Sequence, residues 1–209
     1  MKTRVLLLAL LVPLLSACGL RRVPGNVLDK LPYEAKIELL EAENDLALAV
    51  DRLDEAKAEV MRTRDQIRRA KERLQAAKGE VSNANDQTSK DVAELAVSES
   101  EARVEWLRAK QRTNVSEEAL SDKNQTCAFA RYEQTKLTAA RKAKLEGSEK
   151  LEPEAFEQQV KDCDAGYAEL KEKLKETNTE AAEVRAAWEK TRAALAKKTF
   201  DARASPYVE

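Results

Sequence analysis

An apolar residue recurs at every seventh position through the first half of the chain, and a small residue follows three positions later. The first set is Leu39, Leu46, Leu53, Val60, Ile67, Leu74 and Val81, and the second is Ala42, Ala49, Ala56, Thr63, Ala70, Ala77 and Ala84. Alternating spacings of three and four place both sets on one face of an α-helix. The pattern predicts a helix over about 33–84. Its small residues allow helix axes to lie close together, which favours tight antiparallel pairs over a leucine-zipper dimer.

A second helix is predicted over about 89–146. Residues 82–89 combine poor helix formers with good capping residues and therefore predict a reversal, with Thr88 or Ser89 as the N-cap. We call the helix face formed by such residues, spaced three and four apart, the seam. In the second helix the seam is Val92, Leu95, Ala102, Trp106, Ala109, Thr113, Leu120, Cys127, Ala130 and Leu137, and it is interrupted at Glu99, Lys123 and Gln134. Polar residues at 114–117 leave open a kink near 113–117.

A third helix is predicted over about 153–200, with Pro153 in its first turn. Its seam is Phe156, Val160, Cys163, Tyr167, Leu170, Leu174, Thr177, Ala181, Val184, Trp188, Thr191 and Leu195. Three helices of similar length joined by short reversals predict an all-α fold, a long antiparallel coiled coil in the form of an up-down-up three-helix bundle with an Ala-rich seam. The bundle would span 33–203, with a C-terminal tail at 204–209.

Charge supports the same topology. Residues 32–59 carry nine acidic and three basic side chains, whereas 60–81 carry seven basic and three acidic ones. The second and third helices likewise begin acidic and end basic, which suits each helix dipole. Antiparallel neighbours would therefore place acidic starts beside basic ends.

Composition argues against most kinds of catalysis. The chain has 209 residues, no histidine, 4% aromatic residues and a formal net charge of −1. No Gly-rich phosphate loop or metal-ligand spacing is present, so we predict no enzyme activity, no catalytic residues, no cofactor, no metal and no small-molecule substrate. The near-neutral net charge gives no reason to expect nucleic acid as a partner.

Residues 1–17 are predicted to be a targeting signal. Lys2 and Arg4 precede an apolar run of eleven residues, Val5 to Leu15, which is too short to cross a bilayer. The run ends in Leu15-Ser16-Ala17-Cys18, which resembles the lipobox of bacterial lipoproteins. The alternative is an ordinary cleaved signal that contains a cysteine.

The lipobox resemblance implies removal of residues 1–17 and lipidation of Cys18 by a diacylglycerol thioether, with a further acyl chain such as palmitate on its amine. Gly19 in place of an Asp would direct such a lipoprotein to the periplasmic face of the outer membrane rather than the inner membrane. Residues 18–32 contain Pro24, Gly25 and Pro32 and are predicted to be the lipidated cysteine and a flexible tether.

The two remaining cysteines, Cys127 and Cys163, both occupy seam positions on consecutive helices. Because an envelope compartment permits disulfides, we predict that they pair, with two buried free thiols as the alternative. Opposed residues on these helices would then have numbers that sum to 290, so Thr177 faces Thr113 and each tryptophan faces a smaller residue. Closing the loop would stabilise the fold by about 4 kcal/mol in the chain-entropy model.

The leading hypothesis for function is a structural lipoprotein that acts as a scaffold or spacer in the cell envelope. The murein lipoprotein family also joins a lipobox to heptads, but it is a short parallel trimer with a C-terminal Lys, and this chain ends in Val208-Glu209. The alternative is a coiled-coil adaptor, activator or holdase-like chaperone. The expected partners are the membrane, through Cys18, and a periplasmic protein or peptidoglycan.

Overall fold

The protein is all-α. The structure is a computed structural model that describes residues 19–200, of which 88% are helical and none is in a strand. The helices are α1 (Gly25–Leu28), α2 (Tyr33–Asn83), α3 (Gln87–Lys142) and α4 (Pro153–Thr199), with a short 3-10 turn at Ser148–Lys150. The three long helices pack against each other, which confirms the predicted helical bundle. Helix α3 is continuous through 113–117.

The chain divides into two compact units, and each long helix contributes a part to both. Unit 1 holds the described residues 19–46 and 126–164, and unit 2 holds 47–125 and 165–200. In unit 1, the end of α3 packs beside the starts of α2 and α4. In unit 2, the start of α3 packs beside the ends of α2 and α4.

The predicted seam of α2 faces the interior of unit 2. Its buried members are Ala49, Leu53, Ala56, Val60, Thr63, Ile67, Ala70 and Ala77. The remaining seam positions of α2 in both units are at least partly buried. The two sets of residues that recur every seven positions therefore identify the inner face of α2 correctly. A helix with neighbours on one side buries only one stripe.

Helix α3 buries two faces, which explains its irregular pattern. Besides its predicted seam it buries Ser100, Arg103, Val104, Leu107, Asn114 and Ser116 in unit 2. Asn114 Nδ2 donates a hydrogen bond to Thr63 Oγ1 of α2 at 2.7 Å, while Thr113 Oγ1 donates to the Thr177 carbonyl of α4 at 3.0 Å. The second bond confirms the predicted pairing of Thr113 with Thr177. Because α3 contacts a helix on each side, two stripes overlap in its sequence.

The two tryptophans stack on each other. The Trp106 and Trp188 ring centroids are 4.6 Å apart, with an angle of 1° between the planes. The predicted register, in which Trp106 meets Val184 and Trp188 meets Ala102, did not include this stack, and both smaller residues pack against the same cluster. Heptad phase fixes which residues point inward, but large side chains lean along the helix and meet outside the simple register.

Glu99, one of the interruptions in the α3 seam, is buried beside this stack. Its Oε1 accepts a hydrogen bond from Trp188 Nε1 at 2.7 Å, and only 1% of the residue is exposed. The guanidinium of Arg103 lies over the Trp188 ring, 5.2 Å from its centroid. Glu99, although polar, thus has a role in the seam. It accepts a hydrogen bond from the Trp188 indole N–H, which is buried because the two rings stack.

Ion pairs confirm that acidic helix starts lie beside basic helix ends. In unit 1, Lys142 at the end of α3 pairs with Glu38 at the start of α2, at 2.9 Å. In unit 2, Lys78 pairs with Glu101 at 3.0 Å. Such exposed pairs contribute roughly 0–1 kcal/mol each, so their main effect is to favour the antiparallel direction.

Helix α3 begins two residues earlier than predicted because Asp86 caps it. Asp86 Oδ1 accepts the Ser89 backbone N–H at 2.8 Å, and its Oδ2 accepts the Ser89 hydroxyl at 2.6 Å. The prediction of Thr88 or Ser89 as the N-cap was therefore wrong. Asp86 precedes three polar residues that could each cap, and sequence alone does not rank them.

Helix α3 also ends earlier than the predicted 146, at Lys142. Lys144 has a positive φ of 52°, and the Leu145 N–H donates to the Ala140 carbonyl at 3.0 Å. The Lys144 N–H donates to the Arg141 carbonyl, which completes a Schellman motif. Leu145 is drawn against the core by this turn, and that burial supports a left-handed conformation at a lysine.

The cap makes the stability of unit 2 depend on pH. The hydrogen bonds from Ser89, first from its hydroxyl and then from its backbone N–H, lower the pKa of Asp86 below 3.8. A lowered pKa in the folded state stabilises the fold above the unfolded pKa of about 3.9, and this contribution disappears as pH falls through the folded pKa. We expect wild type to exceed Asp86→Asn in urea midpoint at pH 6, with the difference shrinking toward pH 3. Glu117→Gln, an exposed change on the same helix, is the control, and a difference that is constant with pH would contradict the interpretation.

Candidate functional site

The segment that follows Cys18 is docked on the helices of unit 1. Val23 and Val27 are each 5% exposed and pack with Leu137, Ala140 and Phe156. Leu31 is buried beside Ala35 and Ala139. The prediction that 18–32 is a flexible tether was therefore wrong for the described residues, 19–32. We call residues 19–31 the N-terminal strap.

The apolar residues Val23 and Val27 lie four positions apart in the strap. The short helix α1, which begins at Gly25 after Pro24, supplies the turn between them. The Val27 N–H donates to the Pro24 carbonyl at 3.0 Å, and the Leu31 N–H donates to Leu28 at 3.1 Å. These turns bring Val23, Val27 and Leu31 onto the side that faces the bundle. Proline and glycine thus shape the strap into a surface that fits, rather than leaving it free.

A buried carboxylate holds the first part of the strap. Glu133 of α3 is 2% exposed, and its Oε2 accepts the Val23 backbone N–H at 2.6 Å. Its other oxygen pairs with Lys136 at 2.7 Å, and the Lys136 side chain is 15% exposed. Glu133 therefore satisfies a buried backbone donor and has its own charge balanced by a neighbour on the same helix.

The hydrogen bonds of the strap begin at Arg21, and Leu20 before it is already partly buried. The Arg21 N–H donates to Gln159 Oε1 of α4 at 2.6 Å, and the Arg22 guanidinium lies 5.1 Å from the centre of the Phe129 ring of α3. The strap thus bridges α3 and α4, with its first hydrogen bond only three positions after Cys18.

The same unit contains the predicted disulfide. Cys127 and Cys163 are bonded, with their Cα atoms 5.4 Å apart, and both residues are buried. Beside them, Arg131 of α3 pairs with Asp164 of α4. The strap and the disulfide both join α3 to α4, one by contacts and one covalently.

The turn between α3 and α4 depends on a glycine near the strap. Gly147 has a φ of +92°, a conformation that L side chains rarely adopt. A Cβ at this position would also lie 3.4 Å from Val27 Cγ2. The turn and the strap are therefore fitted to each other.

The predicted lipidation residue, Cys18, lies outside the described residues, as do the signal segment 1–17 and the tail 204–209. Within residues 19–200, no group of three or more His, Cys, Asp or Glu side chains could hold a metal ion. No helix in that range is both long enough and apolar enough to cross a membrane. Comparisons with protein-family models, curated proteins and solved structures found no match to this chain.

Sequence reasoning missed Glu133, the polar residue at the centre of the strap contact. Glu133 lies beside Gln134, which interrupts the predicted seam and is itself only partly buried. This interruption of the α3 seam was a signal that α3 packs here against a polar group and not against another apolar helix face. What it faced could not be read from α3, because the strap is more than a hundred residues away in sequence.

Glu133→Ala should loosen the strap by removing the acceptor for Val23. We expect the amides of residues 21–31 to exchange with deuterium at least tenfold faster, because an unmet buried donor costs about 1–3 kcal/mol. Glu133→Gln keeps an acceptor oxygen and should have a smaller effect. Glu146→Ala, an exposed glutamate of the same unit, should leave the exchange unchanged. Equal exchange in Glu133→Ala and wild type would show that apolar contacts alone hold the strap.

Proposed function

We propose that this protein is a lipid-anchored scaffold or spacer of the bacterial cell envelope, held at the periplasmic face of the outer membrane through Cys18. The lipobox Leu15-Ser16-Ala17-Cys18 supports the anchor, and Gly19 supports the choice of membrane. Long helices built on a small-residue seam suit a spacer. We further propose that the protein has no enzymatic activity.

The observation that carries this proposal is the docked strap. Its hydrogen bonds to the bundle begin at Arg21, so a lipid on Cys18 would be three residues, roughly 11 Å of extended chain at most, from a residue fixed to the folded body. A scaffold benefits from such a short connection, because the position of its body relative to the membrane is then restricted. A holdase or a long-reach adaptor would gain more from a free tether.

The lipid anchor is tested by Cys18→Ser in a bacterial host. We expect the wild-type chain to be cleaved before Cys18 and to fractionate with outer membranes, because two or three acyl chains give stable anchoring. The variant should remain unprocessed at this site and should incorporate no labelled palmitate. Cys127→Ser combined with Cys163→Ser is the matched control, which removes thiols without touching the lipobox. Normal processing and membrane fractionation of Cys18→Ser would refute the anchor.

A second candidate function, an adaptor that binds a periplasmic protein, is favoured by an exposed apolar stripe on α2. Tyr33, Ile37 and Leu40 are 75%, 48% and 55% exposed. Their spacing of four and three places them on one side of the helix. Glu34 and Glu41 border the stripe and form no ion pair within residues 19–200. The fitting partner is a protein helix with an apolar face bordered by Lys or Arg.

The triple change Tyr33→Ser, Ile37→Ser and Leu40→Ser distinguishes the two functions. An adaptor predicts that one defined protein, captured by crosslinking in intact envelopes, is lost from the triple variant. The double change Met61→Ser and Val115→Ser removes other exposed apolar residues and should preserve capture. If the same species are recovered from both variants, the stripe is not a binding surface and the scaffold is the better proposal.

A further inference from the structure

Helices α3 and α4 leave an open groove of about 460 Å³ between them in unit 2. Arg108, Arg112 and Ser116 line it from α3, and Lys173 and Thr177 line it from α4. The volume lies within the roughly 300–1,000 Å³ that is usual for ligand sites. The groove belongs to unit 2, whereas the strap belongs to unit 1.

Three cationic side chains and no carboxylate line the groove. Arg108 pairs with Glu105 on its own helix, and Arg112 pairs with Glu180 of α4, yet about half of each arginine side chain remains exposed. A guanidinium has five N–H donors, so one carboxylate partner leaves donors available. Lys173 forms no ion pair with any described residue. The groove therefore has one uncompensated positive charge, at Lys173, and two paired guanidiniums that retain unused donors.

Ser116 adds a neutral donor to the groove. The residue as a whole is 6% exposed and lines the groove, and its Oγ is not among the buried side-chain atoms that lack a partner, so solvent in the groove reaches it. Other hydroxyls on α3 behave differently: Ser98 and Thr135 donate to the carbonyl four residues earlier, at 3.1 and 2.9 Å. The Ser116 hydroxyl is therefore open to the groove and can donate to a ligand there.

The second hydroxyl in the groove is already used. Thr177 Oγ1 donates to the Leu174 carbonyl at 3.0 Å, so it can only accept a further bond. Gln111 adds a side-chain amide with no partner in the described part of the chain, and Val115, 45% exposed, adds an apolar surface at the rim. The available donors are thus three cations, one hydroxyl and one amide.

We propose that this groove binds the phosphate group of a phosphomonoester, with a small apolar part of the ligand against Val115. A phosphate offers three terminal oxygens and about two negative charges, which match several cations and neutral donors converging on one place. A carboxylate has one charge and two oxygens and would leave most of these donors unused. This inference goes beyond the proposed function and adds a ligand that a passive spacer would not need.

Two sources share this chemistry: a soluble organic phosphate and the phosphate headgroup of a lipid. Glycerol 3-phosphate represents the first, and vesicles of phosphatidic acid in phosphatidylcholine represent the second. Binding of glycerol 3-phosphate assigns a soluble ligand, and binding of the acidic vesicles alone assigns a lipid headgroup. Binding of neither probe overturns the proposal.

The test follows backbone amide shifts of the purified full-length protein by NMR during each titration. We expect saturable shifts confined to residues 108–116 and 173–177. Lys173→Gln should weaken binding by about tenfold, because it removes a charge-assisted contact. Ser116→Ala should weaken it several-fold without changing the charge.

Lys175→Gln is the matched control, since it removes the same charge two residues away on the same helix. Lys175 is 77% exposed, pairs with Glu172 on its own helix, and does not line the groove. It should bind as wild type does. Equal weakening by Lys173→Gln and Lys175→Gln, or shifts spread over all basic surfaces, would show general charge attraction and overturn the site.

Discussion

Close approach of helices along a seam of small residues is the constraint on which the rest of this structure depends. Alanine at one seam position lets helix axes come near the low end of the usual ~8–10 Å separation. It also buries little apolar area, and the hydrophobic contribution scales with area at about 25 cal/mol per Å². A seam of this kind fixes where the helices lie but contributes modestly to stability, so other contacts must join them.

Each unit has its own additional joint. In unit 1, the disulfide between Cys127 and Cys163 and the strap held by Glu133 both connect α3 to α4. In unit 2, the Trp106–Trp188 stack connects the same pair of helices, with Glu99 completing its hydrogen bonding. Arginine side chains surround the two rings, and Arg185 and Arg192 lie within 6 Å of a ring centre. Bulky or covalent contacts thus recur where the alanines leave little area to bury.

The sequence predicted the structure best where a helix buries a single face. The seams of α2 and α4 follow from spacing alone, and the disulfide follows from two cysteines on seam positions. Prediction failed where the role of a residue depends on a contact with a distant part of the chain. Glu133 accepts a hydrogen bond from the backbone N–H of Val23. The strap was predicted to be a tether because Pro24 and Gly25 indicate that no long helix continues through them, but they do not indicate whether the segment packs on the bundle. The groove at Ser116 was also invisible, since the residues that line it come from two helices far apart in sequence.

The tryptophan stack gives the molecule a built-in optical label for one of its parts. Trp106 and Trp188 are the only two indoles in the sequence, and both belong to unit 2. Rings held 4.6 Å apart in a fixed arrangement give the tryptophans a near-ultraviolet circular dichroism signal that disappears when this packing is lost. The tryptophan contribution to that signal reports the contact between α3 and α4 in unit 2. Far-ultraviolet dichroism reports the helices of both units, so the two spectra together reveal whether the units melt as one cooperative body or in succession.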